Sequence, residues 1–494
     1  MYDLVIKNGS LLDGSGAPAF KADIAVKDGK IACIGQALAG ETILDVAGLT
    51  VTPGFIDSHS HADNALPQYP DLTEKIEQGI TTSINGQCGN SPAPMAPFIE
   101  AVRDLPLGSN LATFMGHSSL RKAVMGSDYR DPTPAELAAM GDMLRQGIEQ
   151  GALGLTFGLI YPPSCFSKTE ELVYLAKVAA EAGGMLAAHI RNESDELIEA
   201  CEEFLAVIKA SGARAVFSHH KAAYRQNWGK VKTTLAMIDQ ANREGCDIYC
   251  DVYPYTASHT NLSARFVPKQ YHDGGSAMMA ERLRDPAVRA AIREQLQAQY
   301  GEDDYSWLLI TVCEGYPQYC GLRLNEIAER HGKDVYDTAF DLIAESVNKC
   351  SVCCFSMSEE DVKTVMTHPR SMICTDSSVR GSKAVYHPRL RGSFPRALGR
   401  YVREQKVLPL AEMIRKMTAL PAAVYGLQGK GLIKEGYDAD LCIFDPATIR
   451  DCADYTDCHL RAEGLRYVLL GGKVAVENAV HSGIRAGKLI LKKS

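Results

Sequence analysis

Apolar and polar positions change texture twice along the chain. Residues 1–53 carry short apolar runs separated by turns. Leu4-Val5-Ile6 precedes Asn8-Gly9, and Ile24-Ala25-Val26 and Ile31-Ala32-Cys33-Ile34 flank Asp28-Gly29, a dipeptide suited to a two-residue hairpin. The same texture returns in 440–444 and in 467–475, the latter broken by Gly471-Gly472. These stretches predict one small β-sandwich built from both termini, 1–53 with 425–494.

From 54 to 424, strand-like runs alternate with helical patterns. The runs are 54–58, 81–86, 111–117, 153–158, 185–189, 215–219, 246–251 and 371–376. Amphipathic spacing predicts helices over 133–150, 194–210 and 229–244. Ser167-Lys168-Thr169-Glu170 reads as a capping box opening a helix that stops at Gly183-Gly184. Alternating β and α units of this number predict an α/β fold, a TIM-like (β/α)8 barrel. The seventh and eighth runs are unusually far apart, with helical stretches at 285–299 and 321–346 between them. An insertion there sits over the mouth of such a barrel, so about 265–345 is read as a lid.

Composition narrows the function classes. A net charge of −8 and the lack of any basic run argue against a nucleic-acid or anionic-membrane partner. The opening MYDLVIKNGS lacks the pattern of a signal peptide, and no apolar run reaches the length of a membrane span. Fifteen scattered cysteines are read as reduced thiols in a cytoplasmic protein. The Cys350/Cys353/Cys354 group lacks a second cysteine pair and is read as buried thiols.

Candidate chemistry falls at the ends of the predicted strands: His59 and His61, Cys88, His117, His189, His219 and Asp376. Active sites of such barrels assemble there. His59 and His61, one residue apart, point to the same face of a strand. Imidazole, thiolate and one carboxylate make a donor set suited to zinc. Glycines at 86 and 89 let the backbone turn sharply around Cys88. Of the adjacent pair His219 and His220, only one faces the axis, and His219 is the candidate; Lys221 shares its face. His117 is left as an outer group supporting the ligands. Tyr161, just beyond the fourth run, is the candidate donor to a developing oxyanion.

Several segments together carry a resemblance. Asn85-Gly86-Gln87-Cys88-Gly89, Ala188-His189-Ile190-Arg191-Asn192-Glu193, Ser218-His219-His220-Lys221, Tyr253-Pro254-Tyr255-Thr256 and His387-Pro388-Arg389 resemble the D-aminoacylase (N-acyl-D-amino-acid deacylase) family of the amidohydrolase superfamily. The main superfamily branch carries a carboxylated lysine on strand four; this chain has apolar residues with Thr156 and Gly158 there, and offers Cys88 instead. The resemblance implies a metal-dependent hydrolase barrel acting on linear amides of small anionic N-acyl-D-amino acids. It implies a tight zinc site at Cys88, His189 and His219. It also implies a second, weaker or absent, site at His59, His61 and Asp376, which Cys88 can bridge. Asp376 would be the general base, and Lys221, Tyr253 and Arg389 would bind the substrate carboxylate. A family serine is replaced here by His259, which either keeps the carboxylate-binding role as a cation or narrows the pocket. Two other readings stand beside this one: a cyclic-amide hydrolase of the hydantoinase or dihydroorotase kind, which the missing lysine argues against, and a non-catalytic barrel scaffold, which should have lost some ligands.

Overall fold

The computed structural model describes residues 1–301, 303–379 and 387–492. Tyr2–Lys7, Asp23–Lys27, Lys30–Gly35 and Gly40–Asp45 form a four-stranded sheet. A second sheet joins Ser10–Leu11, Phe20–Lys21 and Thr50–Pro53 to Leu441–Phe444, Leu465–Leu470, Lys473–Glu477 and Val480–His481. Thr50–Pro53 pairs antiparallel with Leu441–Phe444, so the two ends of the chain meet inside one sheet. Leu4, Ile24 and Val26 of the first sheet share a core with Val51, Leu441 and Ile443 of the second. The hairpin turn is at Asp28-Gly29, where both residues have positive φ (51° and 73°), as a tight hairpin of this hand requires.

The barrel strands are β1 (Phe55–Asp57), β2 (Ile80–Asn85), β3 (Asn110–Thr113, resumed at Met115–Gly116), β4 (Gly154–Gly158), β5 (Met185–His189), β6 (Ala215–Phe217), β7 (Ile248–Val252) and β8 (Ser371–Ile373). Successive strands pair in parallel from β1 to β8. Between β8 and β1 the ring is completed just past the strands, by Asp376 N–H donating to His59 O (2.9 Å) and His61 N–H donating to Ser377 O (3.0 Å). Side chains alternate as the pleat demands. Ile56, Ile84, Ala112, Ala187, Val216 and Met372 cluster with Val424, Tyr425 and Leu427. Phe55, Leu111, Leu155, Leu186, Phe217 and Ile373 pack in the larger core with the helices. The barrel is thus filled with apolar side chains below its mouth.

Two local expectations are corrected. The helix at Pro134–Glu149 carries the capping box: Thr133 Oγ1 accepts from Glu136 N–H (3.2 Å) and Glu136 Oε2 from Thr133 N–H (2.8 Å). The box expected at Ser167–Glu170 does not form. Ser167 Oγ donates instead to Ser164 O (2.7 Å), captured by the short 3₁₀ turn Ser164–Phe166, and helix Thr169–Glu181 begins without a side-chain cap. The stretch 321–346 is two helices, Leu324–His331 and Val335–Glu345; Gly332 ends the first in a left-handed turn (φ 58°) and Asp334 caps the second.

The segment between β7 and β8 has its own three-stranded antiparallel sheet, Ser258–Asn261, Leu308–Cys313 and Cys350–Cys354. This sheet and its helices bury Leu262, Phe266, Leu283, Ile310, Phe340 and Val352 in a separate core. The sheet extends beyond the helical 265–345 stretch on both sides. Cys350, Cys353 and Cys354 are buried in its central strand, and all fifteen cysteines are free thiols. No helix among the described residues is long and apolar enough to cross a membrane.

Thr133→Ala should cost about 1 kcal/mol of stability by removing the cap, read as a lower denaturant midpoint with an unchanged slope.

Candidate metal centre at the barrel mouth

The polar residues beyond β1, β2, β5, β6 and β8 converge on one point. The turn after β2 runs through three positive φ values, Gly86 (72°), Cys88 (52°) and Gly89 (74°). A side chain at Gly158, the end of β4, would place its Cβ 2.0 Å from the Cys88 carbonyl oxygen. The last residue of strand four therefore has no room for a side chain. Thr156 of the same strand braces the thiol loop, donating to Gly86 O (2.5 Å) and accepting from Gly89 N–H (3.2 Å). His219 (φ 36°) and Asp376 (φ 48°) share the left-handed backbone of Cys88. Such a conformation costs a non-glycine residue about 1–2 kcal/mol and persists where the surroundings impose it.

The Cys88 sulfur lies 3.3 Å from His59 Nε2, 3.4 Å from His219 Nε2 and 3.8 Å from His189 Nδ1. Asp376 Oδ1 lies 3.2 Å from His61 Nε2 and 3.5 Å from His59 Nε2. Two groups of donors result, His59, His61, Cys88 and Asp376 in one, Cys88, His189 and His219 in the other, each within 4.8 Å and sharing Cys88. All six sequence candidates for ligands are thus brought together.

Burial governs the electrostatics. It pushes the Cys88 thiol well above its usual range and holds His59 well below; His189 is lowered to about 3. Burial would also raise Asp376, but Arg389 together with His219, His61 and His59 outweighs that and keeps the carboxyl well below the usual range. Their ion pair is 2.7 Å long and buried.

Two carboxylates missed in the sequence reading stand behind the imidazoles. Glu193 Oε1 is 3.1 Å from His219 Nδ1, and Glu193 Oε2 is 3.4 Å from His189 Nε2. Asp251 accepts from His219 N–H (2.5 Å) and lies 3.9 Å from His59 Nδ1; burial raises it to about 7. Both had a signal, since Glu193 ends the motif begun by Ala188-His189 and Asp251 ends the seventh run.

His220 points away from the cluster, with Nε2 2.7 Å from Thr234 Oγ1, so His219 is the inward member of the pair. Lys221 is not a cation awaiting an anion. Its Nζ lies 2.6 Å from Glu193 Oε1 and 2.7 Å from His219 Nδ1. His117 does not support the ligands. It lies in a separate buried network, between Ser164 Oγ (2.5 Å) and Glu171 Oε1 (2.8 Å), because it opens helix His117–Met125. Of the neighbouring arginines, Arg391 pairs with Glu77 and Arg396 with Asp451, leaving Arg389 as the one directed at Asp376. Arg389 also lies 4.7 Å over the Tyr253 ring. The Tyr161 ring packs on His189 (4.9 Å between centroids), and its hydroxyl lies 3.3 Å from Thr260 Oγ1. His259 Nε2 is 2.9 Å from Thr311 Oγ1.

These side chains line a cavity of about 1150 Å³, walled by the barrel mouth on one side and by the strand Ser258–Asn261 on the other. Cys88, Tyr161, His189, His219, Lys221, Tyr253, His259, Asp376 and Arg389 all face it.

Residues 42–476 match the amidohydrolase family. D-aminoacylase of Alcaligenes xylosoxydans xylosoxydans is 34% identical over 99% of this chain and 98% of its own length. N-acyl-D-glutamate deacylase of the same organism is 35% identical over 99% of this chain and 96% of its own. Among solved structures, N-acyl-D-glutamate deacylase of Bordetella bronchiseptica, complexed with zinc and a phosphonate inhibitor, superposes with a TM-score of 0.86 at 34% identity, covering 99% of each chain. A D-hydantoinase structure superposes with a TM-score of 0.58 at 16% identity and shares the fold. The matched residues, the full-length relatives and the cysteine-centred cluster agree: the chain belongs to the amidohydrolase family, in its N-acyl-D-amino-acid deacylase branch.

Proposed function

We propose that the protein hydrolyses the amide bond of N-acyl-D-amino acids, giving a carboxylate and a free D-amino acid. The observation that carries this reading is the placement of five metal-type donors and the buried Arg389 on one cavity, with the sixth donor, His59, buried beside Cys88. The donor set fits zinc. A buried thiol and imidazoles favour a borderline-to-soft cation. His59 Nε2 and His189 Nδ1 face the Cys88 sulfur, while their other ring nitrogens lie nearest carboxylates, Asp251 at 3.9 Å and Glu193 at 3.4 Å, the arrangement of imidazoles that serve a cation.

In this reading Cys88, His189 and His219 would hold the tighter zinc, and His59, His61 and Asp376 would hold a weaker second ion, Cys88 belonging to both donor groups. Bound zinc supplies a Lewis acid that polarises the amide carbonyl and lets water ionise near neutral pH. Asp376 takes the proton from the attacking water and returns it to the leaving nitrogen. Arg389 and the neighbouring imidazoles together keep Asp376 ionised, as a base must be. The Tyr161 hydroxyl, kept protonated by burial and its neighbours, donates to the developing oxyanion. Arg389 and Lys221, with Tyr253 beside them, receive the substrate carboxylate, which joins two existing ion pairs. The fork of Arg389 suits a carboxylate better than a point charge does. His259, on the insertion's first strand, contributes to the wall that meets the substrate. The insertion serves as the lid over this cavity, and the free thiols suit a cytoplasmic setting.

Purified protein should release free amine from N-acetyl-D-amino acids, leave the L-enantiomers and dihydrouracil largely intact, and lose turnover on chelation. Turnover of dihydrouracil alone would assign a cyclic-amide hydrolase instead. Asp376→Ala should lower kcat by at least about a hundredfold while the circular dichroism spectrum is retained. His259→Ser should change the ranking of D-amino-acid side chains with zinc content unchanged; an identical ranking would remove His259 from the substrate wall.

A further inference from the structure

The mechanism above makes no use of Lys75, yet this lysine is fully buried and lies beneath the base. Helix Thr73–Ile76 carries it to the seam where β8 meets β1, the one joint of the barrel held by contacts past the strand ends rather than by a regular ladder. Its Nζ lies 3.0 Å from Asp57 Oδ2, 2.7 Å from Thr375 Oγ1, 2.8 Å from Ser377 O and 3.0 Å from Ser377 Oγ. Asp57, the last residue of β1, accepts from Thr375 N–H (2.8 Å) and from Thr375 Oγ1 (2.6 Å). Lys75, Asp57 and Thr375 are all within 1% of complete burial.

The residues gripped by this pair are the two neighbours of Asp376. Asp376 itself has a left-handed backbone (φ 48°), uncommon for residues other than glycine. Its N–H is held by His59 O, and the N–H of His61 is held by Ser377 O. The same two strand ends therefore carry His59, His61 and Asp376. An ordinary buried ion pair would need only one contact between its partners. This one distributes the ammonium over Thr375 and Ser377 and so fixes the backbone on both sides of the carboxylate.

We propose that Lys75, with Asp57, is a positioning residue for the base: it clamps 375–377 and thereby aims the Asp376 carboxylate and keeps its second donor group assembled. The proposal rests on the deacylase reading for its kinetic effect, but not for its structural one.

Lys75→Met alone leaves Asp57 as an uncompensated buried charge and can fail to fold. The informative protein is the double variant Lys75→Met with Asp57→Asn, which removes both charges and retains an acceptor for Thr375 N–H. Two measurements are made on it, and on Thr375→Val, which weakens the clamp without exposing a charge. Hydrogen exchange of a peptide spanning 371–379 should quicken by about tenfold or more while β4 to β6 keep their protection. With the best N-acyl-D-amino acid, kcat should fall about a hundredfold for the double variant and about tenfold for Thr375→Val, with KM within about threefold of the parent. Unchanged exchange over 371–379 in a folded variant would overturn the proposal. So would exchange that quickens equally throughout the barrel, or a double variant with full kcat, either of which reduces Lys75 to charge neutralisation or general stability. If the parent hydrolyses no N-acyl-D-amino acid, the function reading fails, while local exchange still decides the clamp.

Discussion

The site depends on where one sulfur sits. Cys88 is within 3.8 Å of three imidazoles carried by three different strands, and it belongs to both groups of donors. That position is costly to reach. It requires left-handed backbone at Cys88 between two left-handed glycines, and a fourth strand that ends in a glycine because the Cys88 carbonyl lies where a side chain would be. Thr156, one pleat earlier, then holds the loop from below. A side chain at the last residue of strand four has no room here. The thiol occupies the shared position instead, and the rest of the barrel mouth is arranged around it.

Charge at the mouth is organised as closed pairs. Arg389 meets Asp376, Lys221 meets Glu193, and beneath them Lys75 meets Asp57. In a water-poor interior an unpaired ion is expensive, so each candidate role in binding or catalysis is performed by a group that already has a partner. The imidazoles are the exception. Burial holds His59 and His189 neutral, with His59 Nε2 and His189 Nδ1 turned to the Cys88 sulfur, which suits donors to a cation rather than members of an ion-pair network.

The barrel and the insertion divide the cavity between them. The barrel strands carry the metal-type donors, while the strand Ser258–Asn261 supplies the opposite wall. Tyr161 and Thr260 link the two across the cavity, and His259 is braced by Thr311 of the insertion's own sheet. A substrate entering this space meets chemistry on one side and shape on the other.

The period-two and helical patterns, with turns at Asp28-Gly29 and Gly471-Gly472, were enough to read the barrel and the terminal sandwich. Each local signal there agrees with burial, because alternate strand residues face different cores. The six donors were legible because barrel chemistry gathers at strand ends. Local signals misled where tertiary contacts competed: Ser167 was claimed by a 3₁₀ turn, and His117 became the start of a helix facing Glu171. Only the folded molecule decided the partners. Strand parity placed Lys221 on the His219 face, but its pairing with Glu193 joins the ends of two different strands. Likewise Asp57 and Lys75 reach Asp376 through residues about three hundred positions away, distances along the chain that no spacing pattern encodes. Sequence alone determined which chemistry the strand ends offer, because that follows from residue type and period. Tertiary structure alone decided which charges are already paired, because pairing depends on which strand ends and loops the closed barrel sets side by side.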